Sequence, residues 1–332
     1  MFTCAGRRVA LLEAFRRAMA ELDVAGKIIA TDVSPASAAY VKADIGLLSP
    51  SVDSAGYISS LREDVDKHGV GLLIPLTDLD LHLLAKHRDS FKAKGCTVMV
   101  GGQESIALCR DKAMTNVMLA RAGLATISTR TLVDFLRSPS YPCFVKPVGG
   151  SAGVGACVIS DEKELRSHVE SFGEALLVQE YIPGQEFTID VYRTREGQVR
   201  CVVPRQRLAV RSGEVEKGVT VFDQDLIDAA CKLSSHLGDV WGVFCCQCRR
   251  SKSGDRPRFF EVNPRFGGGS MLAIAAGVNL PLYLLQEVLG LPISAELGRF
   301  TDHLLMLRYD EAVFVPSNDL TALPGYDTPT FR

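Results

Sequence analysis

Residues 259–270 read FFEVNPRFGGGS and raise the question on which the interpretation of the fold depends. An apolar strand ends with Glu261 and Asn263 two positions apart, followed by Pro-Arg and three glycines. Side chains at i and i+2 of a strand share a face, so both would project to one side of a sheet. A carboxylate beside a carboxamide suits Mg²⁺, which prefers oxygen ligands. The stretch also fits a plain strand that ends in an Asn-Pro turn, so the rest of the chain has to decide.

Composition describes an ordinary globular chain of 332 residues with a formal net charge of −2, 47% hydrophobic and 23% charged. That length predicts two or three domains. No basic excess indicates a nucleic-acid partner, and no apolar run has the length of a membrane span or a secretory signal, so a cytoplasmic location is expected. The ten cysteines lack the two separated ligand pairs of a zinc site, which predicts reduced thiols.

The first part of the chain alternates apolar runs with amphipathic segments, which predicts a doubly wound parallel sheet over residues 1–110. Such sheets bind ligands beyond the carboxyl ends of their strands, where Gly6 to Arg8, Asp32 and Asp78 would lie. Asp32 resembles the ribose acid of a nicotinamide enzyme. The first turn, CAGRRVA, lacks the G-x-G-x-x-G fingerprint, so that interpretation is weak. Asp78 also fits a helix cap.

From about residue 111 the pattern changes to closely spaced strands interrupted by two helices, which predicts an α+β region with antiparallel hairpins. Within it, residues 144–159 read FVKPVGGSAGVGACVI. A strand delivers Lys146 to a glycine-rich segment, and another strand follows. Glycines let backbone N–H groups surround an anion, so a hairpin lid over phosphates is predicted; an ordinary hairpin turn is the alternative. No Walker motif is present.

Residues 176–191, LLVQEYIPGQEFTIDV, join two strands through a Pro-Gly turn. Glu180 is placed to accept a hydrogen bond from an adenine amine, and Glu186 to hold ribose hydroxyls. A solvated turn with two exposed carboxylates explains the same residues. Farther along, Gln247 lies among Cys and Phe on a strand that reads as buried, and a buried carboxamide needs partners. Gln247, Glu261 and Asn263 on adjacent strands of a hairpin would converge.

Taken in order, RDKA, FVKP, GGSAGVG, QEYIPGQE, Gln247 and EVNPR resemble the motifs of ATP-grasp enzymes, in particular a single unit of the carbamoyl-phosphate synthetase large-subunit type or a stand-alone ligase. The resemblance extends from the first domain to about residue 290. It implies a preATP-grasp domain at 1–110, a lid subdomain at 111–182 and a C-terminal subdomain with the metal site at 183–332. It also implies ATP with Mg²⁺, or Mn²⁺ as an alternative.

The resemblance assigns roles to individual residues. Lys112 and Lys146 would face the phosphates, and Arg265, with Lys146, would act at the transferred phosphate. The remaining implied nucleotide and metal residues are Gly149, Gly150, Ser151, Gly153 and Gly155 in the lid; Glu180, Tyr181, Ile182 and Glu186 at the base and ribose; and Gln247, Glu261 and Asn263 at the metal.

The acceptor site is less defined. Arg205 and Arg207 share a strand face, and with Arg211 they suit a carboxylate or an acyl phosphate; a solvated strand face is an equal alternative. Asp78 and Asp190 are candidates for binding an amine.

The implied activity is a carboxylate–amine ligase that forms an acyl phosphate and then an amide from a small acid and an amine or ammonia. Alternatives are kinase-like phosphorylation of a small acid such as carbamate or bicarbonate, and a non-catalytic nucleotide-binding protein. A carbamoyl-phosphate synthetase large subunit has two such units and this chain has one, so synthesis of carbamoyl phosphate by this chain alone is not expected. A homodimer is the default assembly for a symmetric enzyme.

Overall fold

The computed structural model describes residues 1–148, 155–211, 213–251 and 254–316. Three sheets organise these residues, with five, four and seven strands. No helix within the described ranges is long and apolar enough to cross a membrane.

The first sheet is parallel and has the order β3-β2-β1-β4-β5. Its elements, with the helix that follows it, are β1 (Phe2–Thr3), α1 (Val9–Glu21), β2 (Ile29–Asp32), α2 (Ala38–Lys42), β3 (Ile45–Leu48), α3 (Tyr57–His68), β4 (Leu72–Pro75), α4 (Leu81–Lys92), β5 (Thr97–Val98) and α5 (Gln103–Arg110). Sequential strands run outward on both sides of β1, which is the doubly wound arrangement that the alternating pattern predicts.

The second sheet has the order β7-β10-β8-β9, with antiparallel pairs. The chain segment that contains it holds α6 (Lys112–Arg121), β6 (Ala125–Thr126), β7 (Thr129–Thr131), α7 (Leu132–Arg137), β8 (Cys143–Pro147), β9 (Cys157–Ile159), α8 (Glu162–Phe172) and β10 (Leu176–Glu180). Strand β6 joins the third sheet instead of this one. A separate apolar cluster around Phe135, Val145 and Val178 supports the second sheet.

The third sheet has the order β16-β13-β12-β11-β14-β15-β6 and is antiparallel except for the β15–β6 pair. The remaining elements are β11 (Gly184–Arg193), β12 (Val199–Arg211), β13 (Glu214–Thr220), α9 (Gln224–Ser234), β14 (Gly242–Ser251), β15 (Arg258–Asn263), α10 (Ser270–Ala275), α11 (Leu280–Val288) and β16 (Leu305–Leu307). A parallel sheet followed by antiparallel sheets confirms the predicted fold class.

The first and third sheets share one apolar core. Phe15 of α1 lies edge-on to Phe2 at 5.0 Å between ring centroids and to Phe266 at 5.7 Å. Val203 of β12 belongs to the same buried cluster. Because this packing is continuous, the carboxyl ends of β1 and β4 are held against one face of the third sheet. The other face of that sheet packs on α9 through residues such as Val191 and Leu226.

Several details differ from the sequence expectations. Residues 125–132, ATISTRTL, read as one strand in the sequence, but β6 pairs with β15, whereas β7 pairs with β10 in another sheet. Residues 303–315, HLLMLRYDEAVFV, also read as one strand, and within them only β16 forms. Helix α4 begins at Leu81, and no side-chain bond caps it, so Asp78 does not serve as its cap. The domain bounds 1–110, 111–182 and 183–332 stay a prediction, and the end of the tail at 317–332 lies outside the described residues.

Candidate functional site

One face of the third sheet gathers most of the predicted site residues. On β14, Gln247 pairs with Thr188 of β11 on one side and with Glu261 of β15 on the other. Two residues along, Cys245 lies opposite Asn263. Directly opposed residues in an antiparallel pair project to the same face. Gln247, Glu261 and Asn263 therefore share one side of the hairpin, as their spacing predicts.

The three oxygen-bearing side chains differ in their partners. Arg207 Nη1 donates to Gln247 Oε1 at 3.1 Å, and Arg265 Nη2 donates to Asn263 Oδ1 at 3.4 Å. Among the described residues, the carboxylate of Glu261 has no hydrogen-bond or ion-pair partner. It is half-buried and lies within electrostatic range of Lys146 and Arg265. Its oxygens are therefore free to accept a metal ion, the kind of ligand that Mg²⁺ prefers.

Lys146 projects from β8 of the second sheet toward the same place. Burial and repulsion from Lys112 lower the pKa of Lys146 from 10.5 to about 8, and attraction to Glu261 opposes this only in part. This combination shows that Lys112, at the start of α6, and Glu261, on β15, are both close to its ammonium group. The structure thus brings two lysines and the unpaired carboxylate together from three different elements.

The glycine-rich segment is only partly described. Gly149, Gly150, Ser151 and Gly153 lie outside the described residues. Gly155 has φ +70°, and a β-carbon there would lie 2.9 Å from the Phe172 ring and 3.0 Å from Pro147. Glycine at 155 is therefore required by local packing as well as by backbone conformation.

The predicted hinge borders a small cavity of about 130 Å³. Its lining includes Glu180, Tyr181, Ile182 and Arg258. Arg258 Nη1 is 2.7 Å from both carboxylate oxygens of Glu180, so that carboxylate already has a charged partner. A base in this cavity would thus share Glu180 with a guanidinium group.

Glu186, the predicted ribose acid, lies between two arginines. Its Oε1 is 3.0 Å from Arg207 Nη1, and its Oε2 accepts from Arg249 at 3.1 and 3.2 Å. Arg249 also donates to the carbonyl of Ile182 at 2.9 Å, which ties Glu186 to the hinge. Arg207 contacts both Glu186 and Gln247, so the predicted ribose and metal residues share one guanidinium group.

Arg265 connects the third sheet to the first. Its Nη2 donates to Asp78, which follows β4, and its Nη1 donates to the carbonyl of Phe266 at 3.0 Å. Burial acts to lower the pKa of Arg265, but the adjacent Asp78 outweighs it and raises the pKa. Asp78 therefore lies at the site. Its carboxylate is paired with Arg265 in this structure, so it is not free to bind a substrate amine.

Arg205 and Asp190 are both fully buried, with Arg205 Nε donating to Asp190 Oδ2 at 2.5 Å. Ser270 donates to the other oxygen of Asp190 at 2.8 Å. The structure does not support Asp190 as an amine-binding residue, because solvent does not reach it. It also separates Arg205, which is structural, from its strand neighbour Arg207, which lies at the site.

Arg211 lies at the far end of β12 and is half-exposed. It pairs with Asp310 at 2.8 Å and with Glu216 at 3.3 Å. The bulges in the β12–β13 pairing fall between Arg207 and Arg211, so the i, i+2 alternation does not carry Arg211 to the site. A more open groove of about 550 Å³, between α1, α10 and α11, has none of the predicted site residues among its described lining.

The sequence interpretation placed Arg7 and Arg8 at the ligand-binding edge of the first sheet but missed that they form a charged cluster with Glu214 and Arg308 beside Arg265. The carboxylate of Glu214, at the start of β13, contacts Arg8 at 3.1 Å, Arg308 at 2.9 Å and Arg7 at 3.6 Å. The signal available was the Arg7-Arg8 pair directly after the first strand, where ligands bind in parallel sheets. Glu214 and Arg308 carried no recognisable motif.

Comparison with known proteins agrees with this architecture. Residues 172–309 match the family described as "ATP-grasp in the biosynthetic pathway with Ter operon", and residues 1–99 match the PylC-like N-terminal domain. A D-alanine–D-alanine ligase from Clostridium beijerinckii is 29% identical over 114 residues, which is 31% of this chain and 38% of the ligase. The chain thus matches well under two thirds of the length of such curated relatives.

Solved structures show the fold over most of the chain. The biotin carboxylase domain of Hydrogenobacter thermophilus 2-oxoglutarate carboxylase, solved with MgADP and bicarbonate, has a TM-score of 0.71 at 16% identity, covering 92% of this chain and 72% of that one. The L-amino acid ligase of Bacillus licheniformis has a TM-score of 0.67 at 21% identity, with 91% and 76% covered. The chain thus shares the fold of these enzymes over most of its length, and its residues 172–309 match an ATP-grasp family model.

Proposed function

We propose that the protein is an ATP- and Mg²⁺-dependent carboxylate–amine ligase that works through an acyl phosphate and releases ADP and phosphate. One observation carries the proposal: the unpartnered carboxylate of Glu261 lies opposite Gln247 and near Lys146, which in turn lies near Lys112. The curated relatives and the L-amino acid ligase, whose names describe ligation, support it.

The residues present fit a magnesium ion. Glu261 supplies a charged oxygen, and the amides of Gln247 and Asn263 supply neutral ones on the same face. Mg²⁺ usually keeps several waters and shares its protein ligands with substrate phosphates, so one carboxylate with two amides is a sufficient set. When bound, Mg²⁺ (or Mn²⁺) supplies charge neutralisation between phosphate oxygens.

The chain's own residues then divide the work of phosphoryl transfer. Lys146 and Lys112 hold the phosphates, which in turn favour the charged form of Lys146. A substrate carboxylate oxygen attacks the γ-phosphorus, the bond to the ADP oxygen breaks, and an acyl phosphate forms. Arg265 is placed to offset the charge that develops on the transferred group. The amine nitrogen then attacks the acyl carbon, phosphate leaves, and the amide forms with loss of a proton.

The nucleotide's base and sugar are assigned to the hinge. We place the adenine at Glu180, Tyr181 and Ile182 and the ribose at Glu186, with the lid formed by Gly149, Gly150, Ser151, Gly153 and Gly155. Arg207 is the remaining acceptor-side candidate of the predicted arginines, because Arg205 is buried and Arg211 is distant. The domain division at 110 and 182 is kept as part of this proposal.

The proposal extends to small partners and a cytoplasmic location. A small carboxylate and an amine or ammonia are the expected substrates. A homodimer is proposed because the Hydrogenobacter domain is described as a dimer. The ten cysteines are all unpaired, which supports a reducing compartment.

An ADP-release screen of carboxylates, with and without amines, tests the proposal. ADP that appears only when both are present supports a ligase, and ADP with one acid alone supports kinase-like chemistry instead. ATP binding without turnover in any combination would refute catalysis. Glu261→Ala should abolish the release, and Glu196→Ala, in the exposed turn between β11 and β12, should not.

A further inference from the structure

The charged cluster beside the proposed site has more positive than negative groups. Arg7, Arg8 and Arg308 all contact the carboxylate of Glu214. The neighbouring Arg265 contacts the carboxylate of Asp78. Three guanidinium groups thus contact the one carboxylate of Glu214, with Asp310 within electrostatic range of Arg7 and Arg308, and an excess of positive charge of this kind attracts an anion.

The cluster is built from three parts of the chain. Arg8 lies at the N-terminus of α1, whose first turn has no acidic residue, so the helix dipole adds to the positive potential. Arg308 follows β16 and is fixed by hydrogen bonds to the carbonyls of Val215, from its Nη1 at 3.2 Å, and of Glu216, from its backbone N–H at 3.0 Å. The Arg8 side chain is only 18% exposed and that of Glu214 23% exposed. A carboxylate is therefore already held here, in a largely desolvated setting.

The cluster adjoins the metal-facing part of the sheet. Arg8 lies within electrostatic range of Arg265 and of Cys245, which is opposite Asn263 on the sheet. Burial, together with Arg265 and Arg308, lowers the pKa of Arg8, although Glu214 opposes this. A group held by Arg8 would thus be a neighbour of the proposed transfer site.

The glycines after Arg265 lie against this cluster. A β-carbon at Gly268 would lie 3.0 Å from Glu214 Oε1 and 3.2 Å from Arg8 Nη1. Backbone without a side chain therefore forms one wall of the cluster. This gives a steric reason for glycine at a position that sequence alone leaves ambiguous between a plain loop and close approach to a ligand.

We propose that Arg8 and Arg308, with Arg7 at the rim, bind an anionic group (a carboxylate or a phosphate) on the substrate, distinct from the carboxylate that is activated. Glu214 is the internal carboxylate that this group replaces. Both are oxygen anions that accept from guanidinium groups, so the substitution exchanges one set of charge-assisted hydrogen bonds for another. The inference rests on the proposed function only where it calls the anion part of a substrate, because anion binding itself requires no turnover.

Thermal unfolding with added anions tests the site directly. Malonate, succinate and inorganic phosphate are titrated against sodium chloride of equal ionic strength, and the apparent dissociation constant is taken from the shift in Tm. At least one of the three anions should stabilise the wild-type protein beyond chloride. Stabilisation by the dicarboxylates identifies a carboxylate ligand, and stabilisation by phosphate alone identifies a phosphate ligand. No stabilisation by any of them overturns the proposal.

Variants locate the effect. Arg8→Met and Arg308→Met should each weaken anion binding by about tenfold, because each removes one charge-assisted hydrogen bond to the anion. Lys146→Met, at the proposed nucleotide phosphates, and Arg62→Met, on the exposed face of α3, should leave the apparent affinity unchanged. A loss in Lys146→Met with none in Arg8→Met would assign the anion to the nucleotide site and overturn the proposal.

Glu214→Gln separates a replaceable carboxylate from a purely structural one. If the anion replaces Glu214, neutralising it should tighten anion binding by about tenfold, because the competing charge is gone. Unchanged or weaker binding would refute this role. ADP release is not measured in these experiments, so their failure leaves the ligase test intact. Equally, an enzyme with no detectable turnover can still show the anion site.

Discussion

Replacing Lys146 with methionine should stabilise the ligand-free protein at neutral pH, although the proposed function needs this lysine. Burial is the largest cause of the lowered pKa, and repulsion from Lys112 adds to it. Glu261 offsets only part of this. The ammonium group therefore lies in an environment that disfavours its charge until phosphates arrive, whereas methionine retains the apolar stem and omits the charge.

The pKa gives the size of the effect. The fall from 10.5 to about 8 is worth about 3 kcal/mol at most, at about 1.4 kcal/mol for each tenfold change in the proton equilibrium. Lys146 is only partly buried, and solvent screening reduces that figure. We expect Lys146→Met to raise the free energy of unfolding at pH 7 by about 1–2 kcal/mol.

The gain should depend on pH in a defined direction. The unfolded chain keeps the lysine proton up to about pH 10.5, and the folded chain keeps it only up to about pH 8. Between these values unfolding takes up a proton, so wild-type stability rises with pH. The advantage of the variant should therefore be complete below pH 8 and disappear as pH approaches 10.5.

Urea unfolding followed by circular dichroism at pH 7 and pH 10 measures both effects, with equal m-values required for the comparison. Lys163→Met, on the exposed side of α8, is the matched control and should change stability little at either pH. Destabilisation by Lys146→Met at pH 7, or a gain that is the same at both pH values, would refute the electrostatic reasoning.

Three further substitutions test the site and its support. Glu261→Ala should abolish ADP release while a fluorescent ADP analogue still binds at the hinge; retained turnover would rule out the metal assignment. Gly269→Ala should lower the free energy of unfolding, measured by urea denaturation, by about 1–3 kcal/mol, because its β-carbon would lie 2.4 Å from Arg205 Nη1, whereas Gly71→Ala meets nothing within 4 Å and should be neutral. Asp190→Asn removes the buried charge partner of Arg205 and should cost about 3–5 kcal/mol in the same assay; a loss under 1 kcal/mol would contradict a structural ion pair.

The sequence predicted the parts of the site that local periodicity controls. The i, i+2 spacing of Glu261 and Asn263 and the hairpin to Gln247 were sufficient to place three oxygen donors on one face, and the register confirms that placement. The alternating pattern likewise predicted the first sheet. These features depend on neighbours within one or two strands, which a single sequence describes well.

Long-range partners could not be predicted in this way. The pairing of Asp78 with Arg265 joins residues 187 positions apart, and Glu214 meets Arg8 across the junction of two sheets. Arg205 and Arg207 share a strand face, but Arg205 is buried and paired with Asp190, whereas Arg207 contacts Glu186 and Gln247 at the site. Their different partners, and not the strand pattern, make this difference. Strand periodicity assigns the face but not the burial along it.

The ribose and metal residues should prove energetically coupled, because Arg207 contacts both Glu186 at 3.0 Å and Gln247 at 3.1 Å. Removing one contact frees the guanidinium group to reorient toward the other, so the two losses should not add. In a double-mutant cycle on MgATP affinity, Glu186→Gln and Gln247→Ala should show a coupling energy of about 1 kcal/mol. The same cycle in an Arg207→Met background should give a value near zero. Coupling that persists without Arg207 would mean that the bound nucleotide, rather than this arginine, connects the two residues.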